Sequence, residues 1–150
     1  METTHDPQEA NKRAARQIYD VWDGGDEDVI DDIMAEDVVL NRPDAVGGPV
    51  RGREAYKDNL RMVRAGFPDL FFRAHDVVAE DDKVIAYCTF GGTHEGELLG
   101  LEPTGASVDV RDFVMYRFDD GNVVEVTSLP DFLGLLLEVG AIEPPGAMST

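Results

Sequence analysis

The stretch ASVDVRDFVMYRFDDGNVVEVTSL, residues 106–129, decides the fold. β-Branched and aromatic residues dominate both halves, and the first carries bulky side chains on both faces. Between them, Asp119-Asp120-Gly121-Asn122 supplies the residue types that a tight hairpin turn accepts. Two long antiparallel strands are therefore expected at about 106–118 and 122–129. Upstream, about 70–79 and 83–94 read the same way and meet at Glu80-Asp81-Asp82. The glycine-rich segment 95–105 joins them to the quoted hairpin.

Before Pro68 the period becomes helical. A helix is expected from about Arg53 to Ala65, with Tyr56, Leu60 and Val63 on one side and Gly66 as its stop. Residues 42–52 hold two prolines and three glycines and read as a loop, preceded by a short strand at 36–41. A second helix near Asp26 to Met34 offers Val29, Ile30 and Ile33 as its apolar stripe. The first begins at Pro7 with Asp6 as its N-cap, repeats Ala10, Ala14, Ile18, Val21 and Trp22, and ends at Gly24-Gly25. A last short helix spans roughly Pro130 to Val139 and stops at Gly140. Residues 1–6, with His5, and 143–150 read as loose tails of a single domain over 1–150. Helices followed by long antiparallel strands give an α+β layout. A strongly curved sheet of this kind leaves a pocket beneath its helices.

The chain carries 31 acidic and 13 basic residues, a net charge of −18, and its only lysines are Lys12, Lys57 and Lys83. Such a field repels nucleic acid and anionic membrane, so neither is expected as a partner. The acids are spread along the whole chain, which reads as adaptation to concentrated salt, as in a halophilic archaeon. The lone Cys88 permits no internal disulfide and no CxxC site. Three scattered histidines lack HxH or HExxH spacing, so no metal is expected. GGTHEG (91–96) lacks the dinucleotide fingerprint, VGGPVRG (46–52) lacks a P-loop lysine, and no GxSxG elbow exists. No leader-like segment opens the sequence, and the longest apolar run, near Phe132 to Leu137, is too short to span a bilayer. A soluble cytoplasmic protein is expected.

Asp131 is the first candidate for chemistry. Leu129, Pro130, Phe132 and Leu133 surround it, and an apolar setting raises a carboxyl pKa toward values useful for proton transfer. Its other reading is helix capping, with Ser128 or Asp131 itself as the cap. His94 falls by alternation on the face of Val84, Ala86, Cys88 and Phe90, where it either orients a substrate oxygen or packs in the core. Either face of strand 106–118 could line a cavity, and Asp112 and Tyr116 are its polar-tipped candidates for ligand contact. Trp22, Tyr19 and Phe90 are candidate walls of the same pocket. His75 reads as a solvent-side sheet residue, and Arg51 and Arg53 as partners in surface ion pairs.

GTHEGELLGLEPTG (92–105), VDVRDFVMYRFDDGNVVE (108–125) and PDFLGLLLEVGAI (130–142) resemble the SnoaL-like polyketide cyclase family. RGREAYKDNLRMVRAGFPDL (51–70) and AHDVVAEDDKVIAYCTFGGTH (74–94) extend the resemblance over most of the chain. It implies a cone-shaped α+β barrel, shared with ketosteroid isomerase and nuclear transport factor 2. In that fold a strongly curved, mostly antiparallel sheet is covered by three N-terminal helices and closed by a short C-terminal one. It also implies homodimers or higher oligomers packed through the sheet, and a small apolar carbonyl compound as ligand. The implied reaction is an intramolecular aldol closure without metal or cofactor, with Asp131 as acid and base and His94 at the family's histidine. A related isomerisation, a hydrolase of the same superfamily and a non-catalytic binding or dimerisation module are the alternatives. The chain departs from its relatives at Thr127, where many carry tryptophan, and at Asn41-Arg42-Pro43-Asp44, where a histidine is common.

Overall fold

The structure, a computed structural model, describes residues 6–144 and 146. The tails expected to be loose fall mostly outside these residues, and His5 lies wholly outside them. Helix α1 (Pro7–Trp22) starts as its sequence requires: Asp6 accepts the Gln8 N–H at 3.0 Å, and the fixed φ of Pro7 suits a first turn. Helix α2 (Val29–Ile33) is shorter than its apolar stripe suggests. Asp26 accepts the Asp28 N–H at 2.9 Å, which holds a turn before the helix can begin. The chain then enters β1 (Met34–Asn41) without a linker. The stretch read as loop contains a 3₁₀ turn (Asp44–Val46) and a two-residue strand, β2 (Val50–Arg51), paired with β1. Helix α3 (Arg53–Gly66) follows, then β3 (Phe71–Glu80), β4 (Lys83–Thr93), β5 (Ser107–Asp119), β6 (Asn122–Pro130) and the short helix α4 (Phe132–Glu138).

The six strands lie in the order β2-β1-β6-β5-β4-β3, antiparallel except for the parallel contact of β1 with β6. The expected α+β architecture is present. The sheet is curved and unclosed, with β2 and β3 as its two edges. Register shifts between Met34 and Val39, at His75 and between Arg117 and Phe118 bend the strands.

Strand β5 settles which of its faces is inward. Val108, Val110, Asp112, Val114, Tyr116 and Phe118 are buried, while the residues between them reach solvent. This face packs with Ala15, Ile18 and Tyr19 of α1 and with Tyr56 and Leu60 of α3 in one apolar core. The segment 95–105 folds back over the end of α3. The N–H groups of Glu95 and Gly96 donate to the Gly66 carbonyl at 3.1 and 3.2 Å, closing the helix C-terminus. A side chain at Gly96 would place Cβ 1.9 Å from the Ala65 carbonyl oxygen, so only glycine permits this approach. No helix among the described residues is long and apolar enough to cross a membrane.

Candidate active site

Between the concave side of the sheet and α1, α3, α4 and the Leu98-Leu99 turn lies a cavity of about 130 Å³. Its walls are largely apolar, among them Leu40, Val63, Phe72, Phe90, Val114, Val126 and Leu135. A few polar side chains interrupt them: Arg42, Tyr56, Asn59, Asp112, Tyr116, Ser128 and Asp131. An apolar recess with a few convergent polar groups is the usual form of a small-molecule site.

The two carboxylates sit in opposite surroundings. Asp112 projects from the inward face of β5 and is only 6% exposed. The Ser128 hydroxyl, on neighbouring β6, lies 3.1 Å from each of its oxygens and donates to the carboxylate. Burial outweighs this bond and those from the backbone of Leu129 and Phe113, and pushes the Asp112 carboxyl up to about 7. Asp131 follows the end of β6 and is exposed. Its Oδ1 accepts the Gly134 N–H at 2.8 Å, so it is the N-cap of α4 while it also lines the cavity. Ser128, the other candidate cap, is spent on Asp112. A Cβ on Gly134 would stand 2.4 Å from Asp131 Oδ2, so the glycine makes room for the carboxylate over the helix end.

The aromatic wall is tied together by polar tips. Trp22 Nε1–H donates to the Tyr56 hydroxyl at 2.9 Å, with the two rings edge to face at 6.1 Å. Burial raises the Tyr56 phenol to about 12 and holds that of Tyr116 well above its ordinary value. Both therefore keep their protons and act as hydrogen-bond donors at neutral pH. Burial likewise pushes the Cys88 thiol up to about 12, consistent with a packing role.

Asp112, Asp131, Tyr116, Trp22 and Phe90 thus gather around one cavity, and His94 and Tyr19 do not line it. His94 is fully buried beneath segment 95–105. Its Nδ1 lies 3.0 Å from Thr104 Oγ1, its ring packs 6.0 Å from Phe67, and its Nε2 has no partner among the described residues. Tyr19 stands one layer behind the wall, stacked at 5.6 Å on both Phe72 and Tyr116. His75 is exposed, bonded to Thr89 at 2.8 Å, and Arg53 pairs with Asp31 at 3.4 Å. Among the described residues no cluster of His, Cys, Asp and Glu is placed to hold a metal.

Four polar cavity residues escaped the sequence reading: Tyr56, Asn59, Ser128 and Arg42. Tyr56 shares the stripe of Leu60 and Val63 and carried the only local signal, a polar tip among apolar neighbours. Ser128 matters through a cross-strand relation to Asp112, which needs the β5–β6 register.

Residues 12–139 match the SnoaL-like polyketide cyclase family. The chain is 26% identical over 129 residues to the aklanonic acid methyl ester cyclase of Streptomyces galilaeus, covering 85% of this chain and 88% of that one. It is 28% identical over 125 residues to the nogalonic acid methyl ester cyclase of Streptomyces nogalater, covering 82% and 92%. Among solved structures, a SnoaL-like protein of Jannaschia sp. CCS1 superposes with a TM-score of 0.83 at 25% identity over 97% of this chain and 100% of that one. IdmH of Streptomyces antibioticus superposes at 0.77, 28% identical over 91% and 99%. The curved open sheet, the recess beneath it and a sequence match running from α1 to the end of α4 lead to the same place: this chain belongs to the SnoaL-like polyketide cyclase family.

Proposed function

We propose that the protein is a cofactor-independent acid–base enzyme that closes a ring, or isomerises a double bond, in an apolar carbonyl compound. The observation that carries this reading is one apolar cavity holding two carboxyl groups in unlike environments. Environments that separate two carboxyl groups divide the roles of base and acid between them. Asp131, on the exposed side, takes the proton from the carbon next to the carbonyl. Trp22 donates to the Tyr56 oxygen and the Tyr56 and Tyr116 hydroxyls bond to each other, so the pair has one phenol proton left to donate to the developing enolate. The enolate carbon attacks a second carbonyl of the same molecule, and the alkoxide formed takes a proton from Asp112 in its neutral form. Asp131 then releases its proton, and Asp112 is restored by solvent. Phe90 and Trp22 hold the apolar skeleton. His94 acts at a distance in this reading, by anchoring segment 95–105 over the cavity.

Aklanonic and nogalonic acid methyl esters, the compounds named for two relatives, are the first substrates to try. An Asp131→Asn variant should lose turnover by about a hundredfold or more while retaining ester affinity. A variant that keeps full turnover would place Asp131 in the cap alone. The cap does favour a second reading, a non-catalytic binding module, and that reading predicts no turnover by the native protein despite binding.

The outer face of the sheet carries the proposed self-association. Phe113 is 55% and Leu129 61% exposed, they are paired across β5 and β6, and Ile85 adds to the patch from β4. Exposed apolar patches of this kind mark interaction surfaces, and a second copy of the chain is the occupant proposed.

A further inference from the structure

Arg42 stands just beyond β1, half-buried, and lines the same cavity as the two carboxylates. Its guanidinium is fixed by two bonds: Nε donates to the Gly48 carbonyl at 2.6 Å and Nη1 donates to Asn59 Oδ1 at 2.7 Å. The local chain is shaped around it. A Cβ on Gly47 would stand 2.6 Å from Arg42 Nη2, so a glycine with φ of +119° leaves the space that the guanidinium tip occupies.

Arginine offers five N–H donors, and these two bonds use two of them. In a chain with 31 acidic residues, the half-exposed Arg61 and Arg117 find carboxylates, Glu27 and Glu125, and so does Arg53 with Asp31. Arg42, like Arg64 on the Val21 and Gly25 carbonyls, has no carboxylate within ion-pair distance among the described residues, although burial of its charge lowers its pKa. A part-buried, oriented cation with unused donors in the lining of an apolar recess is complementary to a planar anion.

We infer that Arg42, held by Asn59 and the Gly48 carbonyl, is a subsite for a carboxylate on the ligand, so that this protein takes an apolar acid in preference to its methyl ester. The subsite also orients the ligand. A carboxylate held at Arg42 leaves the rest of the ligand, with its reacting carbonyls, to the part of the cavity lined by Asp112 and Asp131. This inference rests on the cavity being the ligand site, as proposed above, and adds the class of ligand.

The test compares 2-naphthoate with methyl 2-naphthoate at a pH where the acid is ionised. Trp22 is the chain's only tryptophan and lines the cavity, so its single indole N–H signal in an NMR titration reports occupancy. The native protein should bind the acid at least about tenfold more tightly than the ester, the scale of one charged hydrogen-bonded contact. Arg42→Gln should abolish that preference and leave ester affinity within about twofold, and Arg42→Lys, which keeps the charge without the planar fork, should retain part of it. Equal binding of acid and ester by the native protein overturns the inference without any variant and leaves the proposed reaction standing. So does an Arg42→Gln variant that weakens both probes alike, which would make Arg42 a staple of the 43–48 turn. If neither probe moves the Trp22 signal, the subsite and the cavity reading fall together.

Discussion

At the scale of single residues, the account turns on two aspartates. Asp112 keeps its proton to about pH 7 in the fold but loses it near its ordinary value of 3.8 once unfolded. Between those values the native state binds the extra proton, so this group's contribution to stability is present in full below pH about 4 and is lost as pH rises to about 7. Denaturant unfolding of the native protein and an Asp112→Asn variant should therefore diverge across that window. The variant should gain relative stability, on the order of a few kcal/mol, by neutral pH. Parallel curves would mean that Asp112 is ionised throughout. Both aspartates were legible in the sequence as candidates. Which of them is desolvated was not, because that follows from the inward face of β5 and from Ser128 on the adjacent strand. Alternation puts His94 on the inward face, and it is fully buried there, but its contacts with Thr104 and Phe67 away from the cavity depend on how segment 95–105 folds back, which the strand period does not encode.

At the scale of elements, α4 and its cap couple local structure to the site. Gly134→Ala puts a Cβ against the Asp131 carboxylate and should displace it from the helix end. Alanine gains about 1 kcal/mol of helix propensity over glycine, and loss of the cap costs about the same. The melting temperature should therefore stay within a few degrees while turnover falls with the misplaced carboxylate. Unchanged turnover would detach catalysis from the capped geometry. The long elements were readable because each has a strong period and firm stops, as Gly66 gives α3 and Asp119 to Asn122 give the β5–β6 hairpin. The two-residue β2 has no period to read, and it forms because β1 offers it an edge. The truncation of α2 rests on the competing Asp26 turn, a side-chain to backbone bond that the apolar stripe masks.

At the scale of the whole molecule, the sheet has two unlike faces, one lining the cavity and one carrying Ile85, Phe113 and Leu129 to solvent. Phe113→Glu places a charge at the centre of the outer patch and should convert the proposed dimer to a monomer in sedimentation velocity, with the cavity intact. A native protein that already sediments as a monomer at high concentration would dismiss self-association through this face. The open sheet follows from the same topology: β2 and β3 are far apart in strand order, and no side-chain pattern in the sequence announces that they do not meet. The central claim, proton abstraction inside the cavity, is tested most directly in D₂O. Nogalonic acid methyl ester is incubated with the native protein and with Asp131→Asn, and deuterium at the carbon next to the carbonyl is followed by NMR. The account predicts exchange that depends on the native protein and is lost in the variant. An ester that binds and keeps its protium would contradict it.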